Sequence, residues 1–131
     1  MAYLLVAMGG ALGSMARYGL SGFVGAAIGE TFPWGTLFVN VTGALIIGFV
    51  ASLTGPDGRI LVGAPGRQFV MTGICGGYTT FSTFSLETLN LIRGDEWGNA
   101  FLNMGLSLAV CLLAVWLGHI AALGLSRLQG G

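Results

Sequence analysis

Apolar residues run along this chain in four long blocks separated by short polar connections. The blocks span about Ala2 to Ile28, Trp34 to Leu53, Gln68 to Ile92 and Gly98 to Leu125. Each reaches the ~20 residues that carry a helix across a bilayer. The connections are Gly29-Glu30-Thr31-Phe32-Pro33, then Thr54 to Arg67, then Arg93-Gly94-Asp95-Glu96-Trp97. Pro33 and Trp34 suit a helix start at a membrane interface, and Trp97 repeats that signal for the fourth block. The pattern predicts an all-α membrane protein with four transmembrane helices in a single domain over residues 1–131, with no second domain, linker or low-complexity tail.

The third block is not uniform. It holds the run Gly76-Gly77-Tyr78-Thr79-Thr80-Phe81-Ser82-Thr83-Phe84. Two adjacent glycines and a string of hydroxyls predict that this helix breaks inside the membrane. In hydrocarbon such a break survives only where it is buried in protein or lines a polar cavity, and breaks of this kind mark ion and substrate sites. A helix that stops near Gly76 leaves orphan carbonyls, which suit a cation. One that restarts near Ser82 leaves orphan N–H groups, which suit an anion. Thr79, Thr80, Ser82 and Thr83 can cap the restart or offer hydroxyls to a ligand. The plainer reading is a packing kink whose hydroxyls bond back to the helix. Two glycines and five hydroxyls exceed what a kink requires.

Composition agrees with the membrane class. Of 131 residues 54% are hydrophobic and 8% charged, and the mean hydropathy is +0.84. There is no lysine and the formal net charge is +0, so no basic patch recruits nucleic acid. Cys75 and Cys111 lie within apolar blocks and suggest neither a disulfide framework nor a metal cluster. The N-terminus does not read as a cleaved signal peptide, because it has no basic leader and the apolar stretch runs on past Arg17. An even number of spans puts both termini on one side, with Arg59, Arg67 and Arg127, against Arg93 on the other. So small a bias predicts insertion in both orientations and pairing of two opposed copies. The chain has 24 glycines. Gly9 and Gly13 stand at the spacing that lets helices approach closely, within one chain or between two. Four helices enclose little volume, so a pore needs a second subunit.

Several side chains can carry chemistry. Phe81 and Phe84 share a helical face directly after the break. They are either packing residues or aromatic edges that solvate an anion weakly. Asn40, deep in the second block, can donate its NH₂ to an anion or glue two helices. Asn103, Ser107 and Cys111 form one mildly polar stripe, either an ion track or a helix contact. Arg17 and Glu87 are the charges within blocks. Arg17 can raise the anion concentration at a vestibule, and Glu87 can pair or cap. His119 fits an interfacial or bonded role better than a ligand.

Three motifs then meet in one order: Gly9-Gly10-x-x-Gly13-x-x-x-Arg17-Tyr18, Pro33-Trp34-Gly35-Thr36-Leu37-x-Val39-Asn40-x-x-Gly43, and Gly73-x-x-Gly76-Gly77-x-Thr79-Thr80-Phe81-Ser82-Thr83-Phe84-Ser85-x-Glu87. Over nearly its whole length the chain resembles the Fluc (CrcB) fluoride channels of microbes. The resemblance implies passive export of fluoride through an antiparallel, dual-topology homodimer with two pores in the cell inner membrane. It implies a structural sodium ion at the dimer centre, held by the backbone carbonyls of Gly76 and Thr79. The implied fluoride path contains Asn40, Thr80, Phe81, Phe84 and Ser107, with Arg17 at the vestibule. Cys111 departs from the family's usual hydroxyl, and Asn103 replaces a position that is often aromatic. The implied partners are fluoride, a second copy and membrane lipid, with no nucleic acid and no catalysed reaction. The alternatives are a small dual-topology proton-coupled drug antiporter, for which the first block lacks a carboxylate, and a non-transporting assembly subunit.

Overall fold

A computed structural model of the chain describes residues 1–55 and 60–130, with side chains to residue 128. Arg59, counted above in the orientation bias, lies outside the described residues. The elements in order are α1 (Ala2–Ile28), α2 (Trp34–Leu53), α3 (Ala64–Gln68), a π-helical stretch (Phe69–Cys75), α4 (Gly76–Tyr78), α5 (Phe81–Arg93) and α6 (Trp97–Gly130). No strand occurs among the described residues. α3, the π-helical stretch and α4 follow one another as continuous helical backbone, so the described residues form four rods, the third interrupted once.

Local chemistry sets the ends. Gly29 closes α1 at φ 120°, a conformation that glycine adopts without strain. Pro65 sits in the first turn of α3, where a missing N–H does no harm. Two helices, Trp34–Leu53 and Trp97–Leu128, are long and apolar enough to cross a membrane. α1, at 27 residues, has the length, but its glycines and Arg17 dilute its apolar character. α5 has only 13 residues because the interruption divides its rod.

Glycine sets the helix spacing. α2 and α6 form the most extensive contact. A Cβ built at Gly118 would lie 2.8 Å from Phe49 N, and one at Gly48 would lie 3.0 Å from the Val115 carbonyl carbon. α1 lies equally close to the third rod. A Cβ at Gly9 would sit 2.9 Å from the Gly73 Cα, and one at Gly77 would sit 2.7 Å from the Gly10 oxygen. Such contacts are closer than any side chain allows, and in hydrocarbon they supply most of the packing attraction between helices.

Burial is inverted relative to a water-soluble bundle. Val39 and Ala100 are fully buried, but so is most of Asn103, at 2% exposure, together with Thr36, Thr88 and Ser107. Large apolar residues instead cover the outside, among them Leu4, Leu12, Phe23, Leu108 and Trp116. An apolar exterior on this scale needs an apolar solvent or a partner, and a polar interior needs internal hydrogen bonds.

Candidate functional site

The helix is interrupted at Thr79 and Thr80, whose backbones are extended at φ −89°, ψ 158° and φ −153°, ψ 118°. The adjacent glycines do not break it. Gly76 remains helical at φ −63°, ψ −37°, and α4 runs on to Tyr78. The stop therefore falls two residues later than the glycine pair suggests. The reason lies in packing. Gly77 meets the Gly10 backbone, and a Cβ at Gly13 would lie 2.9 Å from Tyr78 N, so these glycines admit α1 rather than bend the helix. Threonine, stiff at χ1 and at ease in extended backbone, makes the break.

Side chains from distant helices hold the interrupted backbone. Thr80 N–H donates to Asn40 Oδ1 at 2.8 Å, and Asn40 Nδ2 donates back to the Thr80 carbonyl at 3.0 Å. The carboxamide pairs with Thr80 as a neighbouring strand would. One N–H of Asn40 is thus committed to the backbone and the other remains. The Cys75 carbonyl accepts from both Thr79 N and Thr79 Oγ1, each at 3.0 Å. The Gly77 carbonyl accepts from Arg17 Nε at 3.1 Å. Among the described residues, the carbonyls of Gly76 and Thr79 receive no side-chain hydrogen bond and none from loop or cap backbone. Tyr78 is anchored through its hydroxyl, 2.8 Å from Thr42 Oγ1.

The restart is capped locally. Thr80 Oγ1 accepts from Thr83 N at 3.1 Å and lies 3.2 Å from Ser82 Oγ. This is the N-cap pattern in which a side-chain oxygen satisfies an orphan donor of the first turn. Phe81 and Phe84 follow, their ring centroids 5.4 Å apart and tilted by 44°. Phe81 is 79% exposed.

These groups line one cleft of about 580 Å³. Its walls include Asn40, Gly76, Thr79, Thr80, Phe81, Phe84, Ser107 and Cys111. A second cleft of about 850 Å³ is lined by Thr36, Thr83, Glu87 and Asn90, with Glu30 and Glu96 at its wall. Thr80 borders the first and Thr83 the second, and the Thr80 hydroxyl donates to Thr83 Oγ1 at 3.1 Å. A short hydroxyl bridge therefore connects the two clefts. Glu87 Oε1 is buried without a hydrogen-bond partner.

The expected residues divide. Asn40, Thr80, Phe81, Phe84 and Ser107 share the first cleft, with Gly76 and Thr79 beside them. Arg17 lines neither cleft. The stripe on α6 splits: Ser107 and Cys111 face the cleft, whereas Asn103 is buried and donates from Nδ2 to Thr88 Oγ1 at 2.9 Å. Thr88 in turn donates to the Phe84 carbonyl at 2.8 Å, and Ser107 donates to Asn103 Oδ1 at 3.3 Å. His119 is exposed, with Nδ1 2.6 Å from Ser52 Oγ. Sequence reasoning missed Thr88 and Thr36. Both are polar residues within apolar blocks, and Thr88 follows Phe84 by one helical turn, which was signal enough. It also missed Met104, Leu108 and Leu112, apolar residues of α6 that only the packing brings to the cleft.

The family model described as CrcB-like protein, Camphor Resistance (CrcB), matches residues 4–119. A protein of Opitutus terrae named fluoride-specific ion channel FluC is 65% identical over 98% of this chain and 97% of its own length. Proteins of the same name from Rhodospirillum rubrum and Methylocella silvestris are 56% and 52% identical, over 93% and 99% of this chain and 95% and 99% of their own lengths.

Proposed function

The chain belongs to the CrcB family, and from that membership we propose that it is a fluoride-selective ion channel of the cell inner membrane. It crosses that membrane several times and exports fluoride passively, which lowers fluoride toxicity. In acidic surroundings neutral hydrogen fluoride enters, ionises and is trapped, and the anion leaves through the channel down its gradient. The observation that carries this reading is the cleft where Asn40, Thr80, Phe81, Phe84 and Ser107 converge on an interrupted helix.

The chemistry suits a small anion. The free N–H of Asn40 can replace a water of hydration, and the hydroxyls of Thr80 and Ser107 can do so by turning their protons away from Thr83 and Asn103. The rings of Phe81 and Phe84 present positive edges that attract an anion without the grip of a cation. Conduction needs binding strong enough to admit an ion and weak enough to release it. From Thr80 the hydroxyl bridge to Thr83 leads on towards the second cleft.

The first cleft is open, and the exposed Phe81 ring forms part of its wall. A second copy in the opposite orientation would close it, giving an antiparallel dual-topology homodimer with two pores. The unpartnered carbonyls of Gly76 and Thr79 fit a hard cation, which prefers oxygen ligands. We assign them to a structural sodium ion shared by the two copies. When bound, the ion would lock the interrupted helices together and lower the electrostatic penalty of nearby anions. A proton-coupled drug antiporter has no supporting observation: the relatives carry a channel name, and α1 holds no carboxylate.

The test is fluoride efflux from liposomes containing only the purified protein. Rapid, voltage-sensitive fluoride efflux with chloride excluded is the expected result. Fluoride retention in active-fold liposomes would overturn the reading, and proton-coupled efflux of an organic cation would replace it.

A further inference from the structure

We infer that Arg17 is a positioning residue for the interrupted helix: its guanidinium caps the end of α4 by taking the Gly77 carbonyl, and so removes that oxygen from those left open at the break. The inference rests on the channel reading above. Arg17 is half-buried and lines neither of the two clefts. Its Nε donates to the Gly77 oxygen at 3.1 Å across 60 residues of sequence. That carbonyl lies in the last turn of a helix ending at Tyr78, where orphan oxygens carry the negative end of the helix dipole.

The approach of the guanidinium is set by the helix that carries it. Gly10, Gly13 and Arg17 share one face of α1, at i, i+3 and i+7. Gly10 meets Gly77, and a Cβ at Gly13 would lie 2.9 Å from Tyr78 N. The two glycines therefore bring the α1 backbone onto α4, and Arg17 lands one turn further along the same contact. The oxygens around the break are then divided among partners. Cys75 is bonded to Thr79, Gly77 to Arg17 and Thr80 to Asn40. Those of Gly76, Tyr78 and Thr79 remain. A planar guanidinium holds one direction of donation that a flexible ammonium does not.

A vestibule charge and a positioning residue differ in their response to salt. The Debye length falls to about 3 Å at 1 M, so a collecting charge loses its effect there, whereas a half-buried hydrogen bond keeps most of it. R17Q and R17K are compared with the parent protein in liposomes at low and at about 1 M ionic strength, with sodium held constant. Amide hydrogen exchange is measured on the same purified proteins. For R17Q we expect at least tenfold less fluoride efflux at both ionic strengths. We also expect at least tenfold faster exchange of the Thr79 and Thr80 amides, with α2 and α6 unchanged, and R17K in between. Efflux loss that vanishes at high salt, full recovery in R17K and unaltered exchange would overturn the proposal in favour of a collecting charge. If R17Q does not fold, R17K is judged by the same two readouts. If the parent protein passes no fluoride, the channel reading falls, and exchange at Thr79 and Thr80 alone decides the role of Arg17.

Discussion

Along the α2–α6 pair both helices run uninterrupted, and Gly48 and Gly118 use their missing side chains to bring them together. At the α4–α5 junction the backbone opens at Thr79 and Thr80, and its donors and acceptors are met by Asn40 and Arg17 from other helices. The first arrangement needs only small residues and van der Waals contact. The second needs polar side chains aimed at particular atoms, because an unpaired N–H or carbonyl in hydrocarbon costs several kcal/mol. Rigidity thus comes from glycine in one region and from hydrogen-bonding partners in the other. Only the second leaves carbonyls, hydroxyls and ring edges open to an ion.

The sharpest way to break this comparison is to put bulk into the glycine-packed pair. Gly118→Val places side-chain atoms on the Phe49 backbone. It should lower stability by about 3 kcal/mol or more, read as loss of a folded species on size exclusion in detergent. A folded, fully conducting variant would show that the pair has slack.

The next effect belongs to the junction and spares the fold. Phe81→Ile and Phe84→Ile keep apolar bulk but remove the ring edges. Fluoride efflux should fall at least tenfold, equivalent to about 1.4 kcal/mol, with the melting temperature nearly unchanged. Parent-like efflux in both would remove the rings from the path.

Asn40→Asp separates holding from conduction. The carboxylate still accepts from Thr80 N–H but sets an acceptor against the Thr80 carbonyl, which now receives Nδ2 at 3.0 Å. Loss of that bond and desolvation of the carbonyl should cost about 1–3 kcal/mol, and the negative charge should repel fluoride. Reduced melting temperature together with lost efflux is expected. Lost efflux at full stability would assign Asn40 to the ion alone.

Replacing sodium on both sides with a large organic cation should lower efflux and dimer stability together, measured by flux and thermal melting. If neither moves, the Gly76 and Thr79 carbonyls do not hold a cation. The smallest change is Thr88→Val, which leaves Asn103 Nδ2 without its partner. It should cost about 1–2 kcal/mol in melting while fluoride efflux stays within twofold of the parent, a small factor on the scale where 1.4 kcal/mol is tenfold.

Much of this protein was legible in its sequence. Four apolar blocks, 8% charge and an apolar surface with nowhere to hide specify a helical membrane protein, since length and hydropathy alone decide whether helices dissolve in a bilayer. The hydroxyl-rich run after Gly77 marked the interruption, and Asn40, Phe81 and Phe84 stood out as polar or aromatic residues near it. Tertiary structure decided what those residues touch. It moved the break from the glycines to Thr79 and Thr80, because backbone contact with α1 occupies Gly77. It joined Asn40 to Thr80 and Arg17 to Gly77 across 40 and 60 residues, and it turned Asn103 away from the cleft to meet Thr88. The physical reason is one of range. Solubility in lipid is a sum over residues and can be read locally, whereas a hydrogen bond between distant helices depends on a donor meeting its acceptor, as Arg17 Nε meets the Gly77 oxygen at 3.1 Å, which no local pattern encodes.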